Sequence, residues 1–295
     1  MKGRLAAVLA LAAVPALAQQ QDFSKVEIKA EKVADGVYML TGAGGNIGLS
    51  VGKDGACVVD DQFAPLSDKI LAAIRAISPN PVRFVVNTHV HGDHVGGNEN
   101  MGKAGAVLVA HENVRKRMSV EQFNATFNRK TPPAPEAALP VVTFTDTVTF
   151  HWNGDDIQVT HVPPAHTDGD AYVRFVKADV VHMGDLFFNG GYPFVDVSSG
   201  GRIDGVIAAA DRVLAATGEK TRIIPGHGPL ATRADLQIYR DTLETLRDRI
   251  AKLKAEGKSR DDVVAARPTA DHDAKLGTGF MKGDVFTGLV YDSLK

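Results

Sequence analysis

The sequence predicts an α/β fold, one domain in which helices cover sheets, and three observations carry that reading. Short apolar runs such as "ACVVD", "VRFVV" and "AVLVA" alternate with stretches of helical periodicity. The alternation runs through two consecutive halves with no tandem repeat, low-complexity tract or interdomain linker between them. Finally, 295 residues that are 44% apolar and 23% charged supply ample side chain for a buried core and match neither a disordered nor a fibrous composition.

Taken in order, the first eighteen residues, "MKGRLAAVLALAAVPALA", place Lys2 and Arg4 before an apolar run and end in Ala16-Leu17-Ala18. That is the small-x-small pattern of a cleaved secretory signal. The run is shorter than the ~20 residues a spanning helix needs, and Pro15 interrupts it. The expectation is a signal peptide over 1–18 and a domain over 19–295, periplasmic or secreted, with no stable membrane insertion after cleavage. Within the domain, "NIGLSVG" and "ACVVD" read as strands, Leu66, Ile70, Leu71, Ile74 and Ile77 recur at helical spacing, and "VRFVV" and "AVLVA" are strands again. "NRKTPPAPEAALP" is the one long loop, either a flap beside a site or a surface excursion. Val141 to Met183 is strand-rich and broken by the turn-forming "NGDD"; "IDGVIAAADRVLAATG" reads as a helix closed by Gly218. "TRIIPGHG" is a strand entering a loop. The next helix opens on Thr232 and Asp235 in capping-box spacing and carries Leu236, Tyr239, Leu243, Leu246, Ile250 and Leu253 on one core-packing face.

Charge and cysteine content narrow the chemistry. The formal net charge of −2 becomes −4 once Lys2 and Arg4 leave with the signal, a mild value that argues against nucleic acid as the partner. Cys57 is the only cysteine, so the chain has no internal disulfide and no thiolate cluster. It reads as a small buried hydrophobe on a strand. Any metal must be held by nitrogen and oxygen.

Such ligands are concentrated in "NTHVHGDHVGGN", where His89, His91, Asp93 and His94 fall within six residues directly after an apolar strand. Residues two apart on an extended segment project the same way, so His89 and His91 can face one ion. A turn at Gly92 lets Asp93 and His94 reach another, and Gly96-Gly97 lets the backbone pass close. His166 in "PPAHTDGD", Asp185 in "HMGDLF" and His227 in "PGHGP" also end strand-like runs beside Gly or Pro, where loops converge on a site. His111, His151, His161, His182 and His272 read as core or surface residues, with His182 an outer contact beside Asp185.

On these residues the chain resembles the metallo-β-lactamase superfamily. Asp61 in "VVDDQF", the "THVHGDH" run, His166, Asp185 and His227 look like its five motifs in order, over roughly Gly36 to Pro229. The resemblance implies a four-layered αββα sandwich with metals at one edge, between the sheets. It implies His89, His91 and His166 on a first metal, Asp93, His94 and His227 on a second, Asp185 bridging both, and Asp61 hydrogen-bonding a ligand. Secreted β-lactamases of the family with three histidines on the first zinc place a cysteine, then a lysine three residues later, where this chain has Asp185 and Phe188. The carboxylate is similar to that of the glyoxalase II and lactonase branches, although the lactonase tyrosine is also absent from 188.

The function so implied is hydrolysis by two zinc ions per chain, with iron or manganese as alternatives. Two zincs, two carboxylates and a bridging hydroxide leave about one positive charge, which favours an anionic or polarised substrate. Zinc-bound water ionises near pH ~7 and would attack the carbonyl of an amide, lactone, ester or thioester. Asp93 would orient the nucleophile and carry a proton, and Asn189 would donate to the oxyanion. The alternatives are a mononuclear iron oxidoreductase of the sulfur dioxygenase type and a non-catalytic accessory protein stabilised by metal.

Overall fold

The computed structural model describes residues 22–295, so the signal-like segment lies outside the described residues. Strands β1 (Lys29–Ala34) and β2 (Val37–Thr41) form a hairpin, followed antiparallel by β3 (Ile47–Ser50) and β4 (Ala56–Val59). Next come β5 (Val82–Asn87) and β6 (Val107–His111), both parallel to β4. A separate hairpin, β7 (Gln122–Asn124) and β8 (Arg129–Thr131), precedes β9 (Val142–Phe144), which pairs parallel with β6 and completes a seven-stranded sheet. The second sheet has six strands: an antiparallel meander of β10 (Thr147–Trp152), β11 (Asp155–His161), β12 (Ala171–Phe175) and β13 (Val180–His182), then β14 (Arg222–Ile224) parallel to β13, and β15 (Ala231–Thr232).

The period of two along each strand sorts the core into layers. In β4, Cys57 and Val59 face the second sheet, where they meet Val173, Phe175 and Ile224; Ala56 and Val58 face the opposite way, toward Leu66, Ile70 and Ile74 of helix α1 (Ser67–Ile77) and its approach. In the second sheet Val180 and Ile224 point inward, whereas Val181 and Ile223 meet an outer helical layer. After the short α2 (Gly92–Val95), α3 (Asn98–Lys103) and α4 (Glu112–Met118), that outer layer is built by α5 (Ile203–Ala216), α6 (Arg233–Ala255), α7 (Arg260–Ala265), α8 (Asp273–Leu276) and α9 (Gly283–Ser293). The result is the four-layered αββα sandwich. Cys57 is fully buried, and burial pushes its thiol up to about 12, so it packs as a hydrophobe. Among the described residues no helix is long and apolar enough to cross a membrane.

Thr232 and Asp235 make the expected capping box at the start of α6, and Leu236 to Ile250 are its buried stripe. Gly218, by contrast, does not close α5. The helix ends at Ala216 because Thr217 turns into extended backbone while its hydroxyl donates to the Val213 carbonyl, so no left-handed glycine is needed. The loop at 128–140 contains strand β8 and lines the cavity described below, which makes it a flap rather than a surface excursion.

Candidate metal centre

The parallel strands end together, and the strand-to-loop turns at their C-terminal ends carry the polar cluster. β5 delivers His89, His91, Asp93 and His94; the turn before β12 delivers His166; the turn after β13 delivers Asp185; the loop after β14 delivers His227. All seven expected ligands come together. One potential donor atom from each of His89, His91, His166 and Asp185 lies within 4.8 Å of the others, and the same holds for Asp93, His94 and His227. Asp185 sits between the sets. Its Oδ2 is 3.4 Å from His166 Nε2 and 3.7 Å from His89 Nε2, while its Oδ1 is 3.1 Å from His94 Nε2 and 3.4 Å from His227 Nε2. Asp93 Oδ2 lies 3.3 Å from His227 Nε2 and 3.8 Å from His94 Nε2.

Hydrogen bonds behind the rings fix which nitrogen faces the cluster. His94 Nδ1 is 2.7 Å from Asp60 Oδ2, and His91 Nε2 is 2.9 Å from Asp196 Oδ2. The Thr88 hydroxyl donates to Asp60 Oδ2 at 2.8 Å, so at 3.0 Å it accepts from His89 Nδ1. His166 Nδ1 donates to the Phe194 carbonyl. Each donation leaves the opposite ring nitrogen with a lone pair turned into the centre. His91 Nδ1 and His166 Nε2 then stand 2.8 Å apart, and His94 Nε2 and His227 Nε2 stand 3.4 Å apart. Facing lone pairs repel unless a proton or a cation lies between them. His89 Nε2 and Asp185 Oδ1 are buried with no hydrogen-bond partner, which is costly in a folded core. The donor set therefore fits two divalent cations held by imidazole and carboxylate.

Two features let the cluster close. Gly226 passes so near Asp185 that a Cβ there would lie 2.1 Å from Oδ1, and Gly45 lies against the ring of His94 with the same intolerance. Asn46 ties the two sheets together by donating to the carbonyls of Pro225 and Gly228, on either side of His227.

The electrostatics of the metal-free cluster divide it. Burial lowers His89 well below its ordinary value and brings His166 to about 4. Burial would lower His94 and His227 as well, but the Asp185 carboxylate holds His94 well above the usual range and His227 at about 9. Burial would raise the two acids; instead His94 and its neighbours hold Asp93 at about 2 and Asp185 well below its ordinary value.

Several expectations need correction or relocation. The Asp61 side chain touches no ligand: its Oδ1 accepts from the Gly97 amide, its Oδ2 is unpaired, and burial raises its carboxyl well above the usual range; only the Asp61 backbone amide reaches a ligand residue, donating to the His94 carbonyl. The carboxylate that orients a ligand is its neighbour Asp60, which adopts a left-handed φ of 63° that aims it at both Thr88 and His94. Asp196 plays the same part for His91, and "FVDVSSG" carries no sequence signal that points to it. Asn189 borders the cavity, but its side-chain amide donates to the Pro229 carbonyl and its backbone amide to the His227 carbonyl, so it braces the His227 loop. His182 accepts from the Gly184 amide and donates to the Asn46 carbonyl, supporting the Asp185 turn from behind. His111 and His161 stack 3.7 Å apart outside the cluster, and His151 is exposed.

A cavity of about 1000 Å³ opens over the cluster, with His91, Asp93, Asp185 and His227 on its floor and Phe63, Met118, Phe188 and Phe194 among its apolar walls.

Residues 41–256 match the family model described as the metallo-beta-lactamase superfamily. Among solved structures, a metallo-beta-lactamase from Pontibacter korlensis aligns with a TM-score of 0.61 at 20% identity, over 74% of this chain and 99% of that one. The DIM-1 metallo-beta-lactamase gives 0.61 at 20% identity over 75% and 99%. The stereoselective inverting sec-alkylsulfatase Pisa1 from Pseudomonas sp. gives 0.69 at 17% identity, over 90% of this chain and 50% of that one. These likenesses are likenesses of fold.

Proposed function

This chain belongs to the metallo-β-lactamase superfamily, and from that premise we propose that it is an exported binuclear zinc hydrolase of small molecules that opens a lactone, ester, thioester or amide. The observation that carries the reading is the placement of Asp185, one oxygen toward each set of ligands. A mononuclear oxidoreductase would leave Asp93, His94 and His227 without a task, and a purely structural metal would not need a cavity above it.

When bound, the cations would supply Lewis-acid activation of water and of a carbonyl. The chain's own residues do the rest. Asp60, Thr88 and Asp196 hold the imidazoles in the tautomers that ligate. Asp93, on the cavity floor and ionised across the neutral range, orients the attacking group and accepts its proton at a carboxylate oxygen before passing it to the leaving group. Phe188 stacks on His227 with centroids 5.0 Å apart and presents an apolar wall where the lactamase resemblance expects a carboxylate-gripping lysine. That substitution favours uncharged carbonyl substrates over β-lactams.

The test is metal content and turnover together. Protein prepared without chelator is expected to hold two zincs per chain and to hydrolyse members of a lactone, ester and thioester panel well above nitrocefin. Fewer than one metal per chain, or no turnover across the panel, would sink the reading.

A further inference from the structure

Resting on that hydrolase reading, we infer that the substrate carries a flexible hydrocarbon chain, and that this chain lies along an aromatic path leading from solvent to the metal ligands. Large apolar side chains are seldom exposed in groups. Here Phe123, Phe127 and Phe280 are 51%, 44% and 73% exposed, and all three border the cavity above the cluster. The rings of Phe127 and Phe280 are connected inward. Phe127 lies 5.4 Å, centroid to centroid, from Phe280 and 5.2 Å from the buried Phe194, which stacks on His91 at 5.6 Å.

Three separate segments build this path. Phe123 and Phe127 come from the β7–β8 hairpin, Phe194 from the loop that also carries Asp196, and Phe280 from the turn between α8 and α9. The last segment, with Leu276 and Met281, lies beyond residues 41–256 and so outside the part of the chain that matches the family. Apart from the floor residues and Asp196, which is bound to His91, the charged side chains in the cavity lining are Arg129 and Arg117, and Arg117 is held by both oxygens of Asp168. A long apolar wall of this kind serves a chain that can be laid along it, whereas a compact ring would leave most of it wet. A lipid surface would want rings splayed outward; Phe280 instead packs tilted on Phe127, and Phe127 on the buried Phe194 that stacks on His91.

The experiment separates chain binding from hydrolysis. The zinc-loaded protein is titrated with n-alkylphosphonates from propyl to decyl, which carry an anionic head and cannot be hydrolysed as carbonyl substrates. The Kd is expected to fall about two- to fourfold for each added methylene. In Phe127→Ser/Phe280→Ser that dependence should flatten, while the propyl compound binds as in wild type. Phe280→Ser alone, at a position 73% exposed, serves if the double variant folds poorly. A Kd independent of chain length, or a dependence unchanged in the variants, overturns the inference even if esters are hydrolysed. A steep dependence without hydrolysis of any ester supports the chain site and removes the hydrolase reading alone. Sedimentation with phosphatidylglycerol vesicles, lost in the variants while phosphonate affinities stay flat, would assign the rings to a membrane and overturn it too.

Discussion

Asp60 Oδ2 lies 2.7 Å from His94 Nδ1, whereas the carboxylate of Asp61, the next residue, reaches only the amide of Gly97. Asn at 60 tolerates the left-handed backbone, but its amide would donate toward His94 and turn the ring to the tautomer that cannot ligate. Asp60→Asn should therefore weaken retention of the second metal by about ten- to a hundredfold. Asp61→Asn keeps the acceptor for Gly97 and should bind metal as wild type does. Chelator competition on both variants decides the assignment; equal losses would refute it.

Asp185→Ala should lose the second metal while three histidines keep the first, and turnover should fall by about three or more orders of magnitude. Asp185→Cys should keep two zincs. Metal analysis with lactone and nitrocefin kinetics reads both, and an alanine variant retaining two metals and near-normal rates would show that Asp185 bridges nothing.

Gly226→Ala places a Cβ 2.1 Å from Asp185 Oδ1 and about as close to the Gly184 backbone, so something must shift. A stability loss of about 1–3 kcal/mol is expected, with reduced metal content. Gly218→Ala meets nothing within 4 Å and should leave both unchanged. Denaturant melts of the two variants, with metal content measured alongside, make the comparison.

Metal and protons compete for the same nitrogens. His227 sits at about 9 and His94 above its usual range, so below that pH the second metal must displace protons, and its affinity falls as the solution is acidified. His166 at about 4 and His89 well below its ordinary value are already neutral there. From pH 8 to 6 the second Kd should rise by about tenfold per unit for each proton displaced, while the first changes far less. Chelator titrations at pH 6, 7 and 8 would reveal this; parallel weakening of both metals would count against it.

The candidate ligands are legible in the sequence because imidazole and carboxylate crowded at the end of a buried strand are costly to fold unless a cation holds them together. Their orienting partners are not. "VVDDQF" offers two identical side chains, and the choice between them is made by a backbone dihedral that places Asp60 toward the cluster and Asp61 away from it. Asp196 meets His91 across 105 residues, a separation at which periodicity is silent. Strands with both faces buried read clearly as apolar runs, while β1, mostly exposed at the sheet edge, carries too little pattern to stand out. The C-terminal helices do carry a signal, the Ser259 to Asp262 capping box that opens α7.

Both sets of ligands straddle the two sheets. His89, His91, Asp93 and His94 follow β5, but His166, Asp185 and His227 belong to turns of the later sheet. A growing chain that has emerged only as far as β9 thus holds neither set complete, however well its first sheet has formed. Metal capture at these groups would therefore come late in maturation rather than seed it. If the chain is exported before it folds, as proposed, the choice among zinc, iron and manganese would be made by the compartment in which β14 finally docks.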